Sequence, residues 1–209
     1  MENIDMLDYE KKYMQDTFNI GGCDEAGRGP LAGPVCVACC VMPLNQEDII
    51  NGVNDSKKLS EKKRLELFEI IKQKAKKYSI VFIDEKTIDE INILNATKLG
   101  MKNAIENVMP DICLVDAISK LDTDVKLEGI IKGDAKSYSI ACASILAKVS
   151  RDILMMELDE KYPQYNLKKH KGYGTKEHIE NLKKFGPSPI HRKSFIGNFV
   201  DVSKDYEKN

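Results

Sequence analysis

The chain has no tryptophan, three histidines and seven prolines, and its charges nearly cancel, leaving a formal net charge of −1. Long apolar runs are missing too. The longest, Val35 to Met42, falls far short of the ~20 residues that span a bilayer. No apolar leader opens the chain, where Glu2, Asp5, Asp8, Glu10, Lys11 and Lys12 crowd together. These absences argue against a helical membrane span or a secretory leader and set the expectation of a cytoplasmic protein. Near-neutrality removes a global basic field of the kind that draws in nucleic acid. What remains is an ordinary globular mix over 209 residues, 42% hydrophobic and 31% charged. One domain is expected, because cores divide only beyond roughly 250 residues.

Six cysteines (Cys23, Cys36, Cys39, Cys40, Cys113 and Cys142) sit among apolar neighbours, where a thiol behaves as a small hydrophobe. The spacing Cys36-x-x-Cys39 suggests zinc or redox chemistry. It lies, however, inside an apolar run that reads as a buried strand, and no second ligand pair follows. Structural thiols are expected.

Charge is unevenly placed. Lys161 to Phe195 carries nine Lys or Arg against two Glu, a local balance of +7, so the remaining residues sum to −8. All three histidines fall in that window, interleaved with Tyr162, Tyr165, Tyr173, Phe185 and Phe195. Two readings stay open: a solvated basic surface, or a patch that docks phosphates and stacks an aromatic on a sugar or base.

Strands are predicted over Phe18 to Glu25, Pro34 to Met42, Tyr78 to Asp84, Ile112 to Asp116 and near Glu128 to Lys132. Ser60 is the expected N-cap of a helix reaching about Lys77. Thr87 with Glu90 suggests a capping box for a short helix, with a second over Ala96 to Val108. Ser139 to Glu160 reads as a long central helix, Thr175 to Phe185 as a final one, and residues 1–16 as a short amphipathic helix or a frayed arm. Early strands wrapped by helices argue for an α/β fold with one mixed sheet. The expected division is a core over 1–160 and a small helical lobe over 161–209.

Four carboxylates occupy chemically expensive positions. Asp24 and Glu25 interrupt an apolar strand, Asp116 closes another, and Asp134 precedes the central helix. A carboxylate at the tip of a buried strand is costly unless it is paired or bound to a cation. Ion pairs with Arg28, Lys132 or Lys136 are one solution. Convergence on Mg²⁺ or Mn²⁺ is the other, since an oxygen-only donor set suits hard cations. Adjacent strand residues point to opposite faces, so Asp24 and Glu25 require the strand to end or twist there. Gly27-Arg28-Gly29-Pro30 follows at once and reads either as a tight turn or as a backbone surface able to meet a sugar hydroxyl. Asp55-Ser56-Lys57-Lys58-Leu59 is either a phosphate contact or a solvated loop, and Tyr173 stands between two glycines.

Cys23-Asp24-Glu25-Ala26-Gly27-Arg28-Gly29-Pro30-Leu31-Ala32-Gly33-Pro34 resembles the opening motif of ribonuclease HII, the bacterial type 2 ribonuclease H. The resemblance continues, in family order, through Asp55 to Leu59, Leu114 to Asp116, Lys132 to Asp134, Ala143 to Asp152, His170 to Thr175 and Ser188 to Arg192. It departs at Ala117-Ile118, where many members carry a Gly-Asn-like turn, and at Tyr138-Ser139. It implies a ribonuclease H-like fold, a mixed five-stranded sheet flanked by helices with a small helical C-terminal lobe. The implied activity is cleavage of the RNA strand of RNA–DNA hybrids, and cutting 5′ of a single ribonucleotide in duplex DNA, leaving a 3′-hydroxyl and a 5′-phosphate. Carried over, Asp24, Glu25, Asp116 and Asp134 are the expected catalytic and metal-binding set, with two Mg²⁺ or Mn²⁺ ions present alongside substrate. Expected nucleic-acid contacts are Gly27, Arg28, Gly29, Ser56, Lys57, Tyr173, His191 and Arg192, in a monomer. The type 3 ribonuclease H is the first rival. It normally carries a long N-terminal extension and lacks the Gly-Arg-Gly turn, whereas only about twenty residues precede Asp24 here. A non-catalytic hybrid-binding module and another nuclease of the same fold are the others.

Overall fold

A computed structural model describes residues 6–17, 19–117 and 120–202. Phe18, Ile118 and the expected arm before residue 6 lie outside the described residues, as does the end of the lobe. Five strands form one sheet: β1 (Ile20–Ala26), β2 (Val35–Val41), β3 (Lys77–Ile83), β4 (Ile112–Asp116) and β5 (Lys126–Ile130). Their order is β3-β2-β1-β4-β5. The hairpin side is antiparallel, while β1–β4 and β4–β5 are parallel. The sheet is thus the mixed five-stranded one expected.

Every residue of β2 is buried, because both faces of the sheet are covered. The side-chain period of two sorts them. Cys36, Ala38 and Cys40 pack with α2 (Glu61–Lys74) and α4 (Tyr138–Lys161), while Val37, Cys39 and Val41 pack with α3 (Glu85–Val108). Cys36 and Cys39 therefore face opposite sides of the sheet and cannot share an ion. All six cysteines are buried and free.

Helix boundaries follow local chemistry. The Ser60 hydroxyl accepts the Lys63 N–H and starts α2, which stops at Lys74 rather than Lys77. The stretch from Glu85 is capped by Asp84, whose carboxylate accepts the Thr87 N–H, so Thr87 is capped and does not itself cap. Two helical pieces do exist within α3. They meet at Asn92, in the left-handed region at φ 64°, whose side chain accepts from Leu94 and Asn95 N–H and restarts the helix.

The sheet's centre touches α4 closely. A Cβ added to Gly22 would fall 2.0 Å from the carbonyl carbon of Ser139. Only glycine lets β1 lie against the first turn of that helix. On the other side of this turn sits Glu10, in the short helix α1 (Asp8–Lys11). It is fully buried and accepts from the Ser137 hydroxyl at 2.6 Å and the Ser139 N–H at 2.9 Å. A residue of the presumed arm thus satisfies the open donors of the central helix. Burial raises the Glu10 pKa, opposed by those hydrogen bonds.

The lobe adds α5 (Leu167–His170), α6 (Lys176–Phe185) and α7 (Lys193–Ile196). No helix among the described residues is long and apolar enough to cross a membrane.

Glu10→Ala should lower unfolding stability by about 1–3 kcal/mol in urea melts, since it strands buried donors. Glu10→Gln keeps an acceptor oxygen and should lose less than half of that. Equal losses for the two variants would refute the capping role.

Candidate functional site

Strand parity locates the carboxylates. Gly22 faces α4 and Cys23 faces α3, so Asp24 lies on the α4 side. On β4, Ile112 and Leu114 pack with Ile140 of α4, which places Asp116 on the α4 side as well. Registry aligns Cys23 with Val115 in the parallel pair, so Asp24 and Asp116 stand at adjacent strand ends. Asp134 joins them from the 3₁₀ turn Gly133–Ala135, immediately before α4.

Beyond Cys23 the pairing of β1 with β4 stops, but its pairing with β2 continues through Ala26. The strand therefore does not end at Asp24, one of the two expected solutions; it loses one neighbour there. Glu25 reaches Arg28 at 3.3 Å in an i,i+3 ion pair at the strand tip, and its carboxylate stays close enough to those of Asp24 and Asp116 to interact with both. The chain turns only afterwards, at Gly27, with φ 93°.

The four groups feel one another. Burial is the main cause that lifts the Asp24 carboxyl well above its ordinary range, with Glu25 and Asp116 adding like-charge repulsion. Glu25 is raised by burial and by Asp116, against the pull of Arg28. Asp134 is raised by burial, Asp55 and Asp116, while Lys57 at 3.4 Å acts in the other direction. Fixed donors answer part of this cost: the Glu25 N–H donates to Asp24 at 2.8 Å, and the Gly133 N–H to Asp116 at 2.8 Å. Glu25 and Asp134 have cationic partners. Among the described residues, Asp24 and Asp116 have none.

No three carboxylate, imidazole or thiol groups among the described residues close into a ready-made cage for an ion. A cation such as Mg²⁺ needs no such cage, because it takes one or two carboxylates and completes its shell with water and phosphate. Two unpaired carboxylates side by side, only 4% of Asp24 being exposed, are oxygen donors that fit a hard cation.

Around the carboxylates, the expected nucleic-acid contacts divide. Arg28 and Gly29 are exposed, and Tyr173 is 45% exposed, as its glycine neighbours suggested. Lys57 extends into solvent beside Asp134. Ser56 is instead buried, its hydroxyl 2.9 Å from that of Ser144 on α4, and serves to pin the loop that carries Lys57. Gly27 is buried. Arg192 is 0% exposed and donates to the carbonyls of Gly27, Arg28 and Gly33, which leaves it no reach toward a phosphate. His191 is buried too, its Nε2 3.1 Å from that of His178 and its Nδ1 accepting from Ser188. Both corrections have one cause: the segment forms an isolated bridge with Ala32 under the Gly-rich loop.

Arg151 was not anticipated. It is buried within α4 and donates to Ala32, Pro34 and Lys171 carbonyls. Its only sequence signal is a charged residue on an otherwise apolar face of a helix. The basic window, too, is partly spent internally. Lys168 pairs with Asp159, Lys169 with Glu177 and Lys176 with Glu180, and Tyr165 is packed inside.

Beneath Tyr173 the three histidines pile together. His170 stacks on His178 with ring centroids 4.4 Å apart, and His178 lies 5.3 Å from His191. Burial lowers the His178 pKa to about 4 and that of His191 to about 3. Below the ordinary value of 6.5 the unfolded chain therefore binds protons that the folded one refuses, so this pair destabilises the fold as pH falls from about 6.5 toward 4. The slope is at most about 1.4 kcal/mol per pH unit per histidine. A His178→Gln/His191→Gln double variant should flatten it: urea midpoints at pH 7.5 and 5.0 should converge relative to the parent. An unchanged pH slope would count against buried, neutral imidazoles.

The family model described as ribonuclease HII matches residues 21–198. A protein named ribonuclease HII from Caldicellulosiruptor bescii is 55% identical over 204 residues, covering 96% of this chain and 98% of that one. The crystal structure of ribonuclease H2 from Pyrococcus horikoshii aligns with a TM-score of 0.68 at 28% identity, covering 84% of this chain and 92% of that chain. The structure of Bst-RNase HIII in complex with Mn²⁺ shares the fold at a TM-score of 0.62 and 18% identity, covering 79% of this chain and 60% of its own.

Proposed function

The chain belongs to the ribonuclease HII family, and on that premise we propose that Asp24 and Asp116 are its principal metal ligands, with Glu25 and Asp134 completing the set. It is an endoribonuclease that degrades RNA in RNA–DNA hybrids and depends on divalent metal. The observation that carries the site assignment is the pair Asp24 and Asp116. They stand side by side where β1 parts from β4, on one face of the sheet, Asp24 buried and Asp116 half-buried, and neither forms an ion pair among the described residues. A module that used its carboxylates only for ion pairs would leave neither of them so.

Hard cations bound there, Mg²⁺ or Mn²⁺ and two in number alongside substrate, would activate a water and neutralise charge on the departing 3′-oxygen. The protein's own part is orientation. Backbone N–H groups of Glu25 and Gly133 fix one oxygen each of Asp24 and Asp116. Lys57 beside Asp134 offers an ammonium to a backbone phosphate, and the exposed Arg28 does so at the tip of β1. Gly29 and Tyr173 border one space, since a Cβ on Gly29 would lie 3.8 Å from the tyrosine ring. A ribonucleotide placed there meets backbone at its 2′-hydroxyl, while the aromatic face packs on the deoxyribose that follows it. This supports a preference for a single ribonucleotide in duplex DNA, cut on its 5′ side.

Two measurements check this. Asp116→Asn keeps an acceptor for Gly133 and removes one repelling charge, so without metal it should melt at or above the parental temperature. Its cleavage should nevertheless fall at least ~10³-fold, with hybrid binding within about threefold. The parental protein should gain thermal stability on adding Mn²⁺, and the variant much less. Parental cleavage rates in Asp116→Asn would overturn the assignment. Mapping the cut on a labelled duplex with one ribonucleotide, in Mg²⁺ and in Mn²⁺, tests the substrate preference.

A further inference from the structure

The loop from Gly27 to Pro34 has no regular secondary structure, yet it is held by two buried guanidinium groups that come from remote parts of the chain. Arg192 makes four hydrogen bonds to three carbonyls: Gly27 at 2.6 Å, Arg28 at 2.9 Å, and Gly33 at 2.9 and 2.7 Å. Arg151 donates to Pro34 at 2.9 Å, Ala32 at 3.1 Å and Lys171 at 2.9 Å. The Leu31 N–H donates to Gly172, joining the same loop to the one that carries Tyr173. Space is equally constrained: a Cβ on Gly27 would fall 1.9 Å from Arg151 Nε. Burial, then the neighbouring Arg151, lowers the Arg192 pKa to about 9, so the group stays charged at neutral pH. A buried charge without an ion pair has a function only through what it orients.

What it orients follows from peptide geometry. In a trans peptide the N–H points opposite to the preceding C=O, and no cis bond occurs among the described residues. With the Gly27 carbonyl turned inward to Arg192, the Arg28 N–H faces outward. With the Arg28 carbonyl turned inward, the Gly29 N–H does the same. Both residues are exposed, and among the described residues neither N–H has an acceptor. Two successive donors therefore face outward, on a turn whose Gly29 lies beside the Tyr173 ring.

We propose that Arg192 is a positioning residue for substrate discrimination: by holding the Gly27 and Arg28 carbonyls inward, it aims the Arg28 and Gly29 N–H groups at the substrate's 2′-oxygen. The inference rests on the reading, which the family resemblance implies, that this turn meets the ribose 2′-hydroxyl; it adds the part of Arg192 in aiming it. Lysine in place of Arg192 keeps the charge but cannot reach three carbonyls at once.

The test compares single-turnover cleavage of a duplex with one ribonucleotide and of the same duplex with a 2′-fluoro sugar, a poor acceptor, at that position. Arg192→Lys should lower the ribonucleotide rate by about 30-fold or more while changing the 2′-fluoro rate by less than about threefold, so that their ratio collapses. A merely structural role would lower both rates together and keep the ratio. Gly29→Ala, which the space beside Tyr173 admits, is run in parallel. If Gly29→Ala leaves both rates unchanged, the turn does not face the ribose and both readings fall. If Gly29→Ala lowers the rates but folded Arg192→Lys retains the ratio, the role of Arg192 alone is overturned. Amide exchange in the parental protein needs no variant: the Arg28 and Gly29 amides should exchange freely and slow about tenfold on binding the ribonucleotide duplex without metal, but not the all-DNA duplex. Equal protection by the two duplexes would overturn the inference.

Discussion

Carboxylates brought together at one end of a sheet repel one another, and much of this architecture answers that repulsion. Even at an effective dielectric of ~20, like charges ~4 Å apart cost about 4 kcal/mol, a large share of the 5–15 kcal/mol that typically holds a domain folded. The fold spreads the cost. Arg28 meets Glu25 at the strand tip, and Lys57 meets Asp134. Asp24 and Asp116 receive backbone N–H groups and, among the described residues, no ion pair. Repulsion is thus concentrated on two groups that a cation would relieve, and it is relieved elsewhere.

The close approach of β1 to α4 makes this possible. Without a side chain at Gly22, the strand lies on the first helical turn, and the Asp24 side chain emerges beside Ser144 of the same helix. The helix is in turn anchored from the far side by Glu10 and by its own Ser137 cap, which donates to Glu10 and accepts from Ile140. An acidic residue near the chain's start therefore helps fix the floor of a site built from carboxylates far along the sequence, without adding its own charge to that site.

How much of this could be read in the sequence depends on whether a residue's environment is set locally. Strands and central helix were legible because hydrophobic period and length fix them, and Asp24, Asp116 and Asp134 stood out because a carboxylate in an apolar context is costly wherever the chain goes. Tyr173 was legible from its glycines. The boundaries of α3 were missed because Asp84 and Thr87 are both good caps, and only the geometry of the preceding strand decides between them. His191, Arg192 and Ser56 were misplaced for a deeper reason. Sequence reading assigns a basic residue in a basic window to the surface, but burial of a guanidinium depends on carbonyls supplied by a loop some 160 residues away. Nothing local announces that partner.

The lobe consequently contributes less as a charged surface than its composition implied. Several of its lysines are paired with neighbouring acids, its histidines are stacked under Tyr173, and its one arginine is spent on the Gly-rich loop. Its main physical contribution is to order two irregular loops that the sheet cannot reach. Hydrogen bonds from a charged donor are stronger than neutral ones, so a guanidinium is well suited to hold a loop that has no ladder of its own. Recognition through backbone groups demands such support: a side chain can adjust to its ligand by a rotamer change, whereas an N–H is aimed only as accurately as the peptide that carries it is held.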